Sequence, residues 1–315
     1  MAKAKKLKLL GSRSARPSAL SGLMRPQLWL NCSVICLLIA GGIAGYPHLR
    51  DYVDHKLTFP HNPSRVVLTN RPAWMTDFLA EQIIASIAPN APYSNFDERF
   101  LMRAYQTLNN NPWIQHVNQV RRAYDRQPGD VIEIDCVYRA PVALVQWGEF
   151  YSLVDAEAVK LPEQFSLQQL KRIMFADDGR VNIRLIQGVQ RPPPMPGHKW
   201  QGDDLTAGLE MVGLLAGKPY AEEVLRVDVT NFEGRNDPRE AHLVLLTRDG
   251  SQVRWGRPPQ AKDAFIEVRW DRKLQYMQWL VQEFKRVDAG KPWVDLRFDQ
   301  VRYPSSETPS ANTSQ

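Results

Sequence analysis

Cysteine is scarce in this chain, with three among 315 residues. Cys32 and Cys36 lie in one uncharged apolar segment, so Cys136 stands alone in the rest of the sequence. A single cysteine cannot close an intrachain disulfide, and it cannot supply the two or three thiolates of a cysteine-based zinc site. The fold must therefore depend on a hydrophobic core, which a chain of about two domains with 43% hydrophobic residues can form.

Motifs of catalysis are missing as well. The sequence has no P-loop, no G-x-G-x-x-G after a strand, no G-x-S-x-G and no H-E-x-x-H. His48, His55 and His61 are spaced by seven and six residues, which matches no compact metal-ligand pattern. These absences predict a protein with no catalytic residue, no metal, no cofactor and no small-molecule substrate.

Acidic residues are absent before Asp51, whereas seven of the 40 lysines and arginines precede residue 28. The other 33 basic residues face 34 acidic ones, so the net charge of +6 belongs to a tail and not to a nucleic-acid-binding surface. Residues 28–46 carry no charge, and at roughly 1.5 Å per residue they span close to the ~30 Å hydrocarbon core of a membrane. This pattern predicts a cytoplasmic tail at 1–27, a transmembrane helix at 28–46, and a bulk that lies outside the cell (inner) membrane.

A cleavable signal peptide is the alternative, because Gly42 and Ala44 are small residues of the kind that precede a cleavage site. The 27-residue tail is long for a signal peptide, and the apolar run exceeds the usual hydrophobic region. A buried core helix fits less well, since the segment is apolar all round. The pattern therefore favours a retained anchor.

After a polar linker at 47–63, residues 64–138 alternate between strand and helix patterns. A strand at 65–69 precedes a helix with Phe78, Leu79, Ile83 and Ile87 on one face. A second helix follows a capping-box-like start at Asn95. Its apolar positions are Phe100, Leu101, Ala104, Tyr105 and Leu108. Two strands come next, at 117–124 and beyond the Pro-Gly turn, and the second places Ile132, Ile134, Cys136 and Tyr138 on one face. The order predicts a three-stranded sheet backed by two helices.

Residues 139–303 form a second pattern, mostly of strands. Apolar and polar residues alternate over 142–186 and 224–256, and helices are predicted at 203–216 and 264–287. The longer helix carries an apolar stripe of Trp270, Leu274, Met277, Val281 and Phe284. We expect a mixed, mostly antiparallel β domain with helices, so the fold class is α+β, followed by a disordered polar tail at 304–315.

Several short runs, in this order, resemble the FtsQ/DivIB family of cell-division proteins and its POTRA module. The first set is Asn111-Pro112-Trp113-Ile114, Val120-Arg121-Arg122, Pro128, Ile132-Glu133-Ile134 and Tyr138-Arg139-Ala140-Pro141-Val142-Ala143. The second is Tyr151–Asp155, Asp249-Gly250 and Trp293-Val294-Asp295-Leu296-Arg297-Phe298. The chain departs from the family pattern at Thr69–Pro72, at Ala158 where the family prefers glycine, and in the insertion Arg191–Pro196.

The resemblance implies a bitopic scaffold of the septal division machinery, the divisome. Its implied partners are single-span coiled-coil proteins of the FtsB/FtsL type. A closing strand at about 293–303 would lie at a sheet edge, where a partner can add a strand. The alternation there predicts Val294, Leu296 and Phe298 facing inward, Asp295, Arg297 and Asp299 facing solvent, and a bulge after Asp299.

Two sets of partner-binding residues follow from this resemblance. On the closing strand they are Trp293, Asp295, Arg297, Phe298, Val301 and Tyr303. A weaker set on the POTRA module is Arg121, Arg139 and Pro141. Two other functions stay open: a POTRA-containing envelope protein in export or outer-membrane assembly, and a membrane-tethered envelope enzyme with an unfamiliar site.

Overall fold

The structure is a computed structural model with six α-helices and mixed sheets in the part of the chain that it describes. The described residues are 26–56, 58–59, 65–89, 93–94, 98–124, 128–261 and 267–304. The helices are α1 (Pro26–Lys56), α2 (Asp77–Ser86), α3 (Glu98–Asn109), α4 (Leu167–Met174), α5 (Asp203–Leu215) and α6 (Trp270–Phe284). The strands are β1 (Thr58–Phe59), β2 (Arg65–Leu68), β3 (Tyr93–Ser94), β4 (Ile114–Tyr124), β5 (Pro128–Tyr138), β6 (Ala143–Trp147), β7 (Phe150–Val154), β8 (Lys160–Ser166), β9 (Arg184–Gln187), β10 (Val224–Asp228), β11 (Leu243–Thr247), β12 (Gln252–Gly256) and β13 (Trp293–Asp295). This composition confirms the predicted α+β class.

The described residues fall into two compact units, and the first holds α1, β1 and β3. Residues Ser33–Val53 of α1 are long and apolar enough to cross a membrane, with a mean hydropathy of 1.3. The helix contains Pro47 and continues to Lys56, so residues 47–56 are helical where a linker was predicted. A proline removes only its own N–H from the helix ladder, so the turns on either side can persist despite the kink it favours. The rest of that linker lies largely outside the described residues, as does His61.

In the second unit, β2, β5 and β4 form a three-stranded sheet in that order. β2 runs parallel to β5, and β4 runs antiparallel to it. The apolar face predicted for β5 is confirmed, because Ile132, Ile134, Cys136 and Tyr138 are buried. Burial, with a smaller effect of Asp135, raises the pKa of the Cys136 thiol to about 11. The strand–helix–helix–strand–strand order therefore holds for β2, α2, α3, β4 and β5.

The helices of this sheet differ from the prediction in the direction of single side chains. Thr76 caps α2 by accepting a hydrogen bond from the Leu79 backbone N–H at 3.3 Å. Leu79 and Ile83 are buried, but Phe78 is 70% exposed because it lies about 100° around the helix from Leu79. The predicted inward position of Phe78 is therefore wrong. The predicted cap of α3 at Asn95 lies outside the described residues.

β6 to β13 form an eight-stranded sheet in the order β13-β12-β11-β10-β9-β6-β7-β8. The pairs β6/β9, β9/β10 and β12/β13 are parallel, and the others are antiparallel. Alternate residues of the strands join α5 and α6 in one hydrophobic core that contains Trp200, Met211, Trp255, Met277 and Leu280. The position of β13 at one end of this sheet makes it an edge strand.

Two corrections concern the helices of this second sheet. Residues 167–174 form α4 and not a strand, with a capping box between Ser166 and Gln169. α6 runs from Trp270 to Phe284, shorter than the predicted 264–287. Residues 262–266, which include the predicted start, lie outside the described part of the chain, and residues 267–269 are not helical. Met277 is buried, but Trp270 and Phe284, predicted for the same stripe, are exposed because they occupy the two ends of the helix.

Candidate functional site

The predicted closing strand is β13, a three-residue edge strand that pairs in parallel with β12. Gln252 of β12 donates its backbone N–H to Pro292 O at 3.0 Å, and Leu296 donates to Arg254 O at 3.1 Å. Because backbone groups of successive residues alternate in direction, the N–H and C=O of Trp293 and Asp295 face away from β12. The outer side of β13 is therefore the side on which an additional strand could pair.

The inward side chains of β13 match the prediction, whereas its polar side chains do not. Val294 and Leu296 are fully buried. Asp295 is only 4% exposed, and its carboxylate binds the Arg297 guanidinium, with Nη2 to Oδ2 at 2.8 Å and Nε to Oδ1 at 3.0 Å. Arg297 also donates to Arg239 O at 2.7 Å, and its hydrogen bond with Asp295 raises the pKa of the guanidinium. The solvent-facing positions predicted for Asp295 and Arg297 are wrong.

The physical reason is that the strand ends at Asp295. An alternation of faces persists only while the chain stays extended. Here the chain turns after Asp295, and Arg302 returns to pair with that residue in an antiparallel bridge. The turn replaces the bulge that the sequence predicted after Asp299, and it brings the Arg297 side chain back onto the Asp295 carboxylate.

The aromatic and apolar members of the predicted site are partly accessible. Trp293 is half-buried, with the Arg254 guanidinium 4.7 Å from its ring centroid. Phe298, predicted to face inward, is also half-buried, and the Arg302 guanidinium lies 3.7 Å from its ring centroid. Val301 packs against the core, whereas Tyr303 is exposed and makes an edge contact with Phe284. Trp293, Phe298 and Tyr303 are thus the side chains that a partner can reach.

A buried ion pair behind this edge was missed by the sequence reasoning. Lys273 of α6 is 2% exposed, and its ammonium donates to Glu267 at 2.6 Å and to Trp255 O at 2.7 Å. Glu267 also accepts the Arg257 backbone N–H at 3.0 Å. Burial lowers the pKa of Lys273, and the neighbouring Glu267 opposes that effect. Met277 and Leu280 follow Lys273 by four and seven residues, so Lys273 lies on the apolar stripe of the helix. This spacing is the sequence signal from which its burial could be predicted.

Gly256, at the end of β12, lies directly against the Glu267 carboxylate of this ion pair, where no larger residue would fit. Its φ is +93°, and a Cβ at this position would lie 2.2 Å from a Glu267 carboxylate oxygen. Val268, next to Glu267, donates its backbone N–H to Arg297 O at 3.0 Å. The Lys273–Glu267 pair therefore holds the segment that fixes the chain just after β13.

The weaker set of predicted residues lies elsewhere. Arg121 is exposed on β4 and pairs with Glu133 at 2.6 Å. Arg139 binds Asp155 at 2.5 Å and Glu157 at 2.9 Å, across the junction of the two sheets, and Pro141 follows it half-buried. Asp155 follows β7, which is six strand positions from β13, roughly 29 Å along the sheet at ~4.8 Å per strand. The two predicted sets therefore do not form one site.

Among the described residues, no group of three or more histidine, cysteine, aspartate or glutamate side chains is placed to hold a metal ion. His48 and His55 lie exposed on α1. A scan against protein-family models and a search of curated proteins both found no match for this chain.

Proposed function

We propose that this chain is a membrane-anchored scaffold of the FtsQ/DivIB type, which binds other cell-division proteins at the β13 edge of its eight-stranded sheet. The proposal is carried by one observation: the run that resembles the family's closing strand, Trp293–Phe298, contains an edge strand whose outer backbone groups face away from the sheet. An unpaired strand edge is a template for an incoming strand.

The rest of the molecule supports the same function. An apolar helix of membrane-spanning length precedes the folded part, and a basic tail precedes that helix. By the positive-inside rule the tail lies in the cytoplasm and the two sheets lie in the periplasm. The three-stranded sheet with α2 and α3 has the element order of a POTRA module. The partners would then be coiled-coil proteins of the FtsB/FtsL type that share the same membrane.

Backbone pairing supplies most of the affinity in this mode of binding, and side-chain contacts supply the specificity. Trp293 contributes its backbone to the edge and a half-buried ring beside Arg254 to the surface. Asp295 and Arg297 act indirectly, because their buried ion pair shapes the turn that ends the strand. We therefore assign direct contact to Trp293 and Phe298, with Tyr303 beside them at the end of the contact surface.

Trp293→Pro tests this assignment, because proline removes the outward N–H without touching the pairing of Val294 with β12. We expect at least a tenfold loss of affinity for the FtsB-type protein of the same genome, measured with the full chain in lipid nanodiscs. Trp293→Phe, which keeps the backbone donor and an aromatic ring, is the matched control and should bind within about threefold of the unmodified chain. Equal losses in both variants would show that the side chain, and not the edge, makes the contact.

A second readout locates the surface in cells. Photo-crosslinking residues placed at 293 and 303 should trap the partner, and a fluorescent fusion of the chain should concentrate at midcell. Crosslinks that appear only from position 121 would move the binding site to the three-stranded sheet.

A further inference from the structure

The residues that follow β13 already occupy part of its edge. We call residues 299–304 the return segment. Within it, the backbone N–H of Arg302 donates to Asp295 O at 3.1 Å, and Asp295 N–H donates to Arg302 O at 2.7 Å. These are the two bonds that directly opposed residues exchange in an antiparallel sheet. Arg302 therefore lies where a residue of an added strand would lie.

Side chains hold the return segment in place. Tyr276 donates its hydroxyl to Asp299 O, and Val301 packs against the core. Further along, the Arg302 guanidinium lies over the Phe298 ring, and the Tyr303 ring meets Phe284 with 6.2 Å between centroids. Arg302 and Tyr303 are both exposed. The contacts from residue 302 onward can thus be exchanged for those of another chain without opening the core.

The geometry limits what a partner can gain while the return segment stays bound. Only Trp293 and Asp295 turn their backbone groups outward, and the N–H and C=O of Asp295 are already paired with Arg302. An added strand would then pair with β13 through Trp293 alone. A typical strand is about five to six residues long, so this contact is too short for stable pairing.

We propose that the return segment is a built-in competitor for the partner strand and also a template of it. The inference rests on the function proposed above. The partner strand displaces residues 302–304 and leaves Val301 in the core. It runs antiparallel to β13, places a cationic side chain over Phe298, and places an aromatic side chain against Phe284. Phe298 and Phe284, the two rings contacted in this way, both belong to this chain. Its own Arg302 and Tyr303 therefore show which side chains the edge recognises, a cation and an aromatic ring.

Arg302→Pro opens the return segment, because it removes the N–H that donates to Asp295. Arg302→Ala is the matched control, since it removes the guanidinium and keeps both backbone bonds. In the full chain in nanodiscs, we expect Arg302→Pro to increase the hydrogen-exchange rate of the Asp295 amide at least tenfold. The Leu296 amide, which is bound to β12, should not change. Affinity for the FtsB-type protein should rise at least threefold in Arg302→Pro, and less in Arg302→Ala.

A peptide tests the template independently. The peptide Asp-Gln-Val-Arg-Tyr-Pro, the sequence of the return segment, should compete with the FtsB-type protein for a chain that ends at Val301, which keeps the packing of Val301 against the core. The peptide Asp-Gln-Val-Ala-Ala-Pro should compete at least fivefold less well. A chain that ends at Pro304 keeps the return segment and is the control for loss of the residues beyond it.

The outcomes separate the two proposals. If the unmodified chain binds the partner and Arg302→Pro binds it less well or equally, the return segment does not compete and this inference is wrong. Equal competition by the two peptides would overturn the template. If neither the unmodified chain nor Arg302→Pro binds the partner, the proposed function fails and this inference fails with it.

Discussion

The two edges of the eight-stranded sheet are covered in different ways. At β8, Gly197 donates its N–H to Lys160 O at 2.8 Å, and Lys160 donates to His198 O at 3.1 Å. This cover is fixed by Trp200, whose ring is 1% exposed and whose indole N–H donates to Arg191 O at 2.8 Å. At β13, the cover is Arg302, an exposed residue with one pair of backbone bonds. An edge is closed durably when the anchor in the core is large and fully buried, and at β13 the segment that covers the edge has only the partly buried Val301 in that role.

The largest effect is expected from Trp200→Ala, which removes the anchor of the β8 cover. Loss of a buried tryptophan should lower the free energy of unfolding by about 4 kcal/mol. Thermal unfolding of the full chain in nanodiscs measures it. Met195→Ala, in the same proline-rich loop but at a side chain that is 76% exposed, is the control and should change stability by less than about 0.5 kcal/mol. Similar losses in both variants would mean that the burial of Trp200 does not anchor the segment that covers β8.

A smaller effect is expected from Lys273→Met, which weakens the support behind β13. Glu267 would stay buried without its cation, so stability should fall by about 3 kcal/mol. The double variant with Glu267→Gln removes both charges and should recover at least half of that loss. A double variant as unstable as Lys273→Met would contradict the importance of the ion pair.

The smallest effect is expected from Arg302→Ala. It removes the stacking over Phe298 and keeps the backbone bridge, so the free energy of unfolding should fall by less than about 1 kcal/mol. Chemical denaturation of the full chain provides the measurement. A loss as large as that of Trp200→Ala would show that the two covers are equally part of the core.

The sequence predicted the parts of the fold in which an apolar pattern runs without interruption. The buried face of β5, from Ile132 to Tyr138, and the bounds of α5 within one residue are confirmed. The alternation predicts a strand for the residues of α4, whereas the capping box between Ser166 and Gln169 indicates the helix that the structure shows. The alternation in the flanking strands outweighed this local signal in our interpretation.

The site was predicted less well, because its geometry depends on a turn and on burial. The position of the edge strand was predicted from the resemblance of Trp293–Phe298 to the family's closing strand, and the alternation correctly predicted that Val294 and Leu296 face inward. Asp295 and Arg297 were given solvent-facing positions because nothing local marks the end of the strand after three residues. Lys273 was missed because lysine is almost never buried unless it is paired, and its partner Glu267 lies before the helix.

The parallel pairing of β12 with β13 has a consequence for the order of folding. Parallel neighbours cannot be joined by a tight hairpin, so the chain must pass through α6 before it can return to the sheet. Synthesis proceeds from the amino terminus, so β13 is made only after the strands from β6 to β12 and α6 have been synthesised. A partner that recognises this edge would thereby distinguish finished molecules from nascent or misfolded ones, since an incomplete domain has no β13 to offer.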